Sequence, residues 1–217
     1  MKYKLPSSTT TKNLRPMQRE DVDDVLSLLT RYLKRFDMAP NFDHEEVEHW
    51  LLHDEKNTAE QVIWCYVVEN PDTHKITDFF SFYCLESSVI NNTKHPIVRA
   101  AYLFYYASEK VFEDNEKVYK ERLNGLMNDA LILAKQVYTL SPFRLTSLIW
   151  PQFNFDVFNA LTLLDNPLFL EQQKFGPGDG QLHYYLFNYR ARPIAGGVDA
   201  KNNVDDKKRG GIGVVML

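Results

Sequence analysis

Apolar residues early in the chain recur at three- and four-residue steps: Val22, Val25, Leu26, Leu29, Leu33 and Phe36. That period puts them on one face of an amphipathic helix, with Asp21 as its cap and an end before Pro40. A second, shorter helix is expected over 43–52. The pattern then changes. Residues 61–69 (QVIWCYVVE) and 76–85 (ITDFFSFYCL) are β-branched and aromatic, and the intervening Asn70-Pro71-Asp72-Thr73-His74-Lys75 is turn chemistry. Together they predict an antiparallel hairpin, and 100–108 (AAYLFYYAS) predicts a third strand. Over 115–136, Val118, Leu123, Leu126, Met127, Ala130, Leu131 and Leu133 draw an apolar stripe along a long helix. Beyond it, 155–163 (FDVFNALTL) and 181–189 (QLHYYLFNY) predict two more strands, and 167–175 a short helix with Pro167 in its first turn. The expected architecture is α+β, a mixed, mostly antiparallel sheet flanked by helices.

Both ends depart from this pattern. Residues 1–18, with Ser7-Ser8-Thr9-Thr10-Thr11, Pro6 and Pro16, show no period and read as a strap over a surface, continuing from a preceding part. At the other end, Lys207-Lys208-Arg209 gives way to Gly210-Gly211-Ile212-Gly213-Val214-Val215-Met216-Leu217. Chain ends are commonly polar and frayed, so an apolar one predicts a buried tail, carboxylate included.

Composition narrows the function classes. The chain has 217 residues, 44% of them hydrophobic, with 25 Lys and Arg against 29 Asp and Glu. This is a folding composition with length for one large domain. A net charge of −4 with both signs scattered supplies no basic face, so nucleic acid is not an expected partner. No stretch approaches the roughly 18 apolar residues of a membrane span, and Met1-Lys2-Tyr3-Lys4-Leu5 is not the start of a signal peptide, so a cytoplasmic location is expected. Cys65 and Cys84 sit in aromatic runs and are expected to be buried, reduced thiols.

The obvious chemical motifs fail on spacing. His44 and His49 are five residues apart, where a helical zinc protease site needs two histidines four apart on one face. His49 and His53 have that spacing but no third ligand follows, and no metal is expected. Gly176-Pro177-Gly178-Asp179-Gly180 lacks the lysine and Ser/Thr of a phosphate loop and leads toward a strand. By itself it reads as a tight turn with glycines at positive φ, its amides available to a ligand.

Several segments together point further. Residues 174–180 (KFGPGDG) resemble the signature heptapeptide of the eukaryotic N-myristoyltransferases, and 213–217 (GVVML) resemble the fungal ending of that family. Residues 76–83 (ITDFFSFY), 126–135 (LMNDALILAK) and 156–162 (DVFNALT) also resemble it, in the family's order, so the similarity runs over nearly the whole chain. The resemblance implies an acetyltransferase-like (GNAT-type) fold and transfer of a myristoyl group from myristoyl-CoA, a co-substrate with no permanent cofactor beside it, to an N-terminal glycine. It covers only the second of the family's two related halves. Residues 19–217 then form the C-terminal domain, with the N-terminal half as natural packing partner. In the family that first half holds most of the acyl-CoA site and the oxyanion amides, so the isolated chain is expected to be inactive. The second half forms much of the groove for glycine-first peptides and supplies the base.

By the same resemblance the base is the C-terminal carboxylate of Leu217, and Ser87, Tyr102, Asn159, Asp179 and Gly180 contact the peptide. From the residues alone, Tyr102 as core filling and Asn159 as a strand-end hydrogen bonder remain open alternatives. The family often has proline where this chain has Glu86. A terminal base poses a physical problem. An α-amine has a pKa of about 7.7–8.0 and a free α-carboxyl about 3.3–3.7, so proton transfer in water is uphill by about 5–6 kcal/mol. Desolvation raises a carboxyl pKa, and the Val214-Val215-Met216 lead-in is apolar enough to provide it.

Residues 137–152 (VYTLSPFRLTSLIWPQ) interrupt the family pattern. They carry one charge, two prolines and Leu140, Phe143, Leu145, Leu148, Ile149 and Trp150, where connecting segments are usually short and polar. A translated intron accounts for them: Val137 can begin with GT, Leu145-Thr146 can encode the branch sequence CTAAC, and Pro151-Gln152 can end in CAG. A lineage-specific loop is the alternative. Two other function classes stay open beside the transferase half. One is a non-catalytic peptide- or protein-binding module derived from it. The other is a generic acetyltransferase, weakened because no Gln/Arg-x-x-Gly-x-Gly/Ala opening to a helix occurs.

Overall fold

The computed structural model describes residues 4–53, 61–91, 93–136, 155–178, 180, 182–185, 187–196 and 210–216. The elements are β1 (Leu14–Pro16), α1 (Val22–Leu33), α2 (His44–Leu51), β2 (Ile63–Glu69), β3 (Ile76–Ser88), β4 (Ile97–Ser108), α3 (Glu116–Gln136) and β5 (Val157–Asn159). The strands form one sheet in the order β1-β2-β3-β4-β5. Each pairing is antiparallel except the last, β4 with β5, which is parallel because α3 lies between them in the chain.

The periodic segments fold as their patterns require. Val22, Val25, Leu28, Leu29, Tyr32 and Leu33 form the buried face of α1. The helix ends one turn early, and Phe36 enters the core from the turn that follows. Asp21 does not cap α1 through its side chain. It closes a single 3-10 turn at Arg19–Asp21 instead, where its carboxylate accepts from the Gln18 amide at 2.8 Å and from both terminal nitrogens of Arg15. At α2, Asp43 and Glu46 form a reciprocal capping box. The β2–β3 hairpin turns through Asn70, whose side-chain oxygen accepts from the Asp72 and Thr73 amides, and through His74 at φ 57°.

Where sequence and structure part, the reason is a missing or unforeseen partner. The strap at 1–18 is less featureless than its composition suggests. Buried Asp129 of α3 accepts from the Thr10 and Thr11 amides at 2.8 and 2.9 Å, and Leu14–Pro16 then adds an edge strand to β2. Proline is tolerated there because an edge strand owes no amide on its outer side. The strand expected over 155–163 shrinks to Val157–Asn159, after which the chain leaves the sheet. The helix expected over 167–175 is one 3-10 turn, Asn166–Leu168, followed by turns. No strand forms among the described residues of 181–189, where Leu182, Tyr185, Phe187 and Tyr189 are exposed. Aromatic, β-prone sequence needs a neighbouring strand, and none of the described ones lies beside it. Residues 137–152 lie outside the described residues.

Two buried carboxylates tie the helices to the sheet. Asp78 on β3 accepts from Ser108 of β4 and, in two bonds, from Arg122 of α3. Asp165, past β5, accepts from Tyr32 and Arg35 of α1 at 2.9 and 2.8 Å and from Tyr119 of α3 at 2.6 Å. Its own amide donates to Tyr106 Oη of β4, which in turn donates to Asn166. This network fixes where the chain goes after β5. Cys65 is buried, its thiol pushed above the ordinary range by desolvation, and Cys84 is half-buried.

Candidate functional site

The apolar end of the chain is threaded into the domain rather than laid on it. Met38, in the α1–α2 connection, donates from its amide to Gly211 O at 2.9 Å and accepts from the Gly213 amide at 2.7 Å. A one-residue parallel bridge thus forms between Met38 and Ile212. On its other side Ile212 O accepts from the Leu164 amide at 3.1 Å, and the Gly211 amide donates to Ala195 O at 2.8 Å. The glycines are required by close approach. A Cβ at Gly211 would collide with the Asp37 carboxylate and lie 2.6 Å from Ile194 Cγ2, and one at Gly213 would lie 3.0 Å from Phe36 Cβ.

Beyond Gly213 no strand among the described residues pairs with the tail, and tyrosine hydroxyls meet its backbone instead. Tyr184 Oη donates to Val214 O at 2.6 Å, the Val215 amide donates to Tyr105 Oη at 3.0 Å, and Tyr83 Oη donates to Met216 O at 3.3 Å. Burial raises the pKa of all three phenols, that of Tyr105 to about 12, so they are neutral at ordinary pH. A bulge aims Tyr105 at the tail. The β3–β4 register shifts between Phe80 and Phe82, so Phe104 and Tyr105 together oppose Ser81. Phe104 is then in edge contact with both Tyr83 and Tyr105.

This delivers Met216 to a row of side chains across three strands. Tyr83 of β3 is opposite Tyr102 of β4, which is opposite Asn159 of β5. The two tyrosine rings stack with centroids 5.3 Å apart. Tyr102 and Asn159 are each half-buried. Ser87 lies on the same face of β3, four residues or roughly 13 Å along the strand, and is exposed. The β3–β4 ladder runs on to Ser88, and Glu86 pairs with Arg99 at 2.6 Å.

Other expected features resolve differently. Leu217 and Asp179 lie outside the described residues. Gly180 is exposed, and Gly176, Gly178 and Gly180 have neither a left-handed φ nor an atom within 4 Å of where a Cβ would stand. Just before these glycines, Lys174 at the end of the turn over 171–174 is left-handed, at φ 62°. Val215 is buried as expected, but Met216 is 52% exposed, because no described residue packs over its outer side. Tyr83, Tyr105 and Tyr184 were not singled out from sequence. Their tyrosine-rich strands were plain, but the bulge that turns Tyr105 has no sequence marker.

His44 Nδ1 lies 2.8 Å from Asp23, and His49 packs edge-on against Trp50. Among the described residues, no three His, Cys, Asp or Glu side chains converge as metal ligands, and no helix is long and apolar enough to cross a membrane.

Residues 1–215 match the family model of the myristoyl-CoA:protein N-myristoyltransferase C-terminal domain. The chain is 59% identical over 216 residues to the glycylpeptide N-tetradecanoyltransferase of Aspergillus fumigatus, covering 100% of itself and 41% of that protein. It is 46% identical to that of Saccharomyces cerevisiae, covering 98% of itself and 45% of that protein. The crystal structure of the S. cerevisiae N-myristoyltransferase with bound myristoyl-CoA superposes with a TM-score of 0.85, covering 99% of this chain and 46% of that one. A predicted acetyltransferase from Clostridium acetobutylicum, 15% identical, shares the fold with a TM-score of 0.50 over 82% of this chain. The chain thus spans less than half the length of the curated relatives it matches. It belongs to the N-myristoyltransferase family and corresponds to that family's C-terminal, acetyltransferase-like domain.

Proposed function

We propose that this chain is the peptide-binding and base-supplying part of an enzyme that transfers a myristoyl group from myristoyl-CoA to the N-terminal glycine of proteins. The observation that carries the reading is the threaded tail, which brings residue 216 to the row of Tyr83, Tyr102 and Asn159. Leu217 follows one residue on, its Cα about 3.8 Å along the chain from that of Met216, and in this reading its carboxylate is the base. It accepts a proton from the glycine α-amine as the nitrogen bonds to the thioester carbon and the CoA thiolate leaves. Tyr102 and Asn159 present polar groups to the peptide backbone, with Ser87 farther along the same face. Asp179 and Gly180 contribute from the glycine-rich turn.

In this reading the isolated chain transfers nothing measurable. It spans 41% of the A. fumigatus relative, and in this reading most of the acyl-CoA site and the oxyanion donors lie in the remainder. Losing even one such donor typically costs about 100- to 1,000-fold. The same remainder covers the exposed side of Met216 and supplies the desolvation a carboxylate base requires.

The test joins this chain to the N-terminal portion of the A. fumigatus relative and measures labelled myristoyl transfer to a glycine-first peptide. Transfer by the joined protein and none by the chain alone is expected. A folded joined protein that binds the peptide but transfers nothing would favour a non-catalytic binding module.

A further inference from the structure

A terminal base works only if its carboxylate is held in place, and an unrestrained terminus is the least ordered part of most chains. Here the regular hydrogen bonding stops at Gly213, while three further backbone groups are each met by a phenol. Those phenols come from three separate places: Tyr83 from β3, Tyr105 from β4 and Tyr184 from the 182–185 stretch. They alternate in sense along the tail. Tyr184 donates to a carbonyl, Tyr105 accepts from an amide, and Tyr83 donates to a carbonyl. Both kinds of backbone group are thus engaged, by side chains from three places rather than by a neighbouring strand.

We propose that Tyr83, Tyr105 and Tyr184 are positioning residues that hold the last backbone groups in register over β3 and β4, so that the terminal carboxylate meets the incoming amine. The inference rests on the reading of Leu217 as base. None of the three phenols takes part in proton transfer; they act through the tail. Tyr83 holds the carbonyl nearest the end, through the longest of the three bonds, and its ring is fixed by stacking on Tyr102 and by edge contact with Phe104.

The test uses Tyr83→Phe, Tyr105→Phe and Tyr184→Phe, which keep the rings and remove only the hydroxyls. Tyr185→Phe, whose side chain is 86% exposed, serves as control. In the 217-residue chain, the rate at which carboxypeptidase removes the last residues and the hydrogen exchange of the Val215 amide report tail opening. Each of the three substitutions should raise opening by about 2- to 12-fold, the worth of one hydrogen bond, with unchanged melting temperature and no effect from Tyr185→Phe. In the joined protein, Tyr83→Phe should lower kcat by a similar factor and leave KM for the peptide unchanged.

Tail release and exchange unaltered in all three variants would overturn the proposal, as would faster release with full kcat in an active joined protein. If the joined protein with all its tyrosines is inactive, the proposed function fails. The exchange measurement still decides whether the phenols hold the tail.

Discussion

Asp165→Ala is the substitution whose cost the structure fixes most closely. The carboxylate is 5% exposed and takes hydrogen bonds from Tyr32 Oη, Tyr119 Oη and Arg35. Burial pushes both phenols well above their ordinary range, so they stay protonated and need an acceptor. Burial also works against the Arg35 charge, but the neighbouring Asp165 carboxylate outweighs it and raises the pKa. Removing the carboxylate leaves two buried donors unsatisfied, at about 1–3 kcal/mol each. It also leaves a largely buried guanidinium without this ion-pair partner, and breaking a buried pair from one side costs about 3–5 kcal/mol in all. We predict a loss of about 3–5 kcal/mol in equilibrium urea denaturation of the chain, read as a lower midpoint at unchanged m-value. Asp165→Asn keeps an acceptor oxygen and should lose less. A loss below about 1 kcal/mol for Asp165→Ala would refute the claim that this network holds α1, α3 and the segment after β5 together.

Other outcomes follow from the same contacts. Gly211→Ala brings a Cβ against the side chains of Asp37 and Ile194, so these side chains or the tail must shift; the tail should become the first site of limited proteolysis while the melting temperature falls by only a few degrees. Intact resistance to proteolysis would show that the threading is wrong. Deleting residues 137–152 should leave the urea midpoint within experimental error, and the transcript should prove to be spliced without those codons. A mature message that retains them in a translated product would make the segment a true loop.

Elements that carry their own partner were legible from sequence. The hairpin at β2 and β3 and the helix at α3 declare themselves through period and turn chemistry, because the residues that decide them are adjacent in the chain. The tail was legible in part: its apolar end implied burial, and Val215 is buried, but Met216 is exposed, since burial depends on what lies above it. The segment 181–189 was misread as a strand because alternation and aromatic content report a tendency to pair, not the presence of a mate. The glycines of 176–180 misled for a related reason. The described glycines there are not left-handed, while Lys174 in the preceding turn is, a residue type with no preference for it.

At the site, Tyr102 and Asn159 came from family resemblance, and the register places them side by side. Tyr83, Tyr105 and Tyr184 came only from the folded arrangement. Their role is set by where a chain end more than a hundred residues from Tyr105 arrives, and that is a tertiary fact.

The central claim is that a carboxylate at Leu217 is the base, and extending the chain by one residue tests it directly. Adding a single glycine after Leu217 in the joined protein moves the carboxylate one residue past the row of Tyr83, Tyr102 and Asn159 and leaves an amide in its place. Rapid-mixing measurement of the transfer step should show a loss of about 100- to 10,000-fold, the contribution of a positioned general base, with peptide affinity little changed. Full transfer rate in the extended protein would contradict the account.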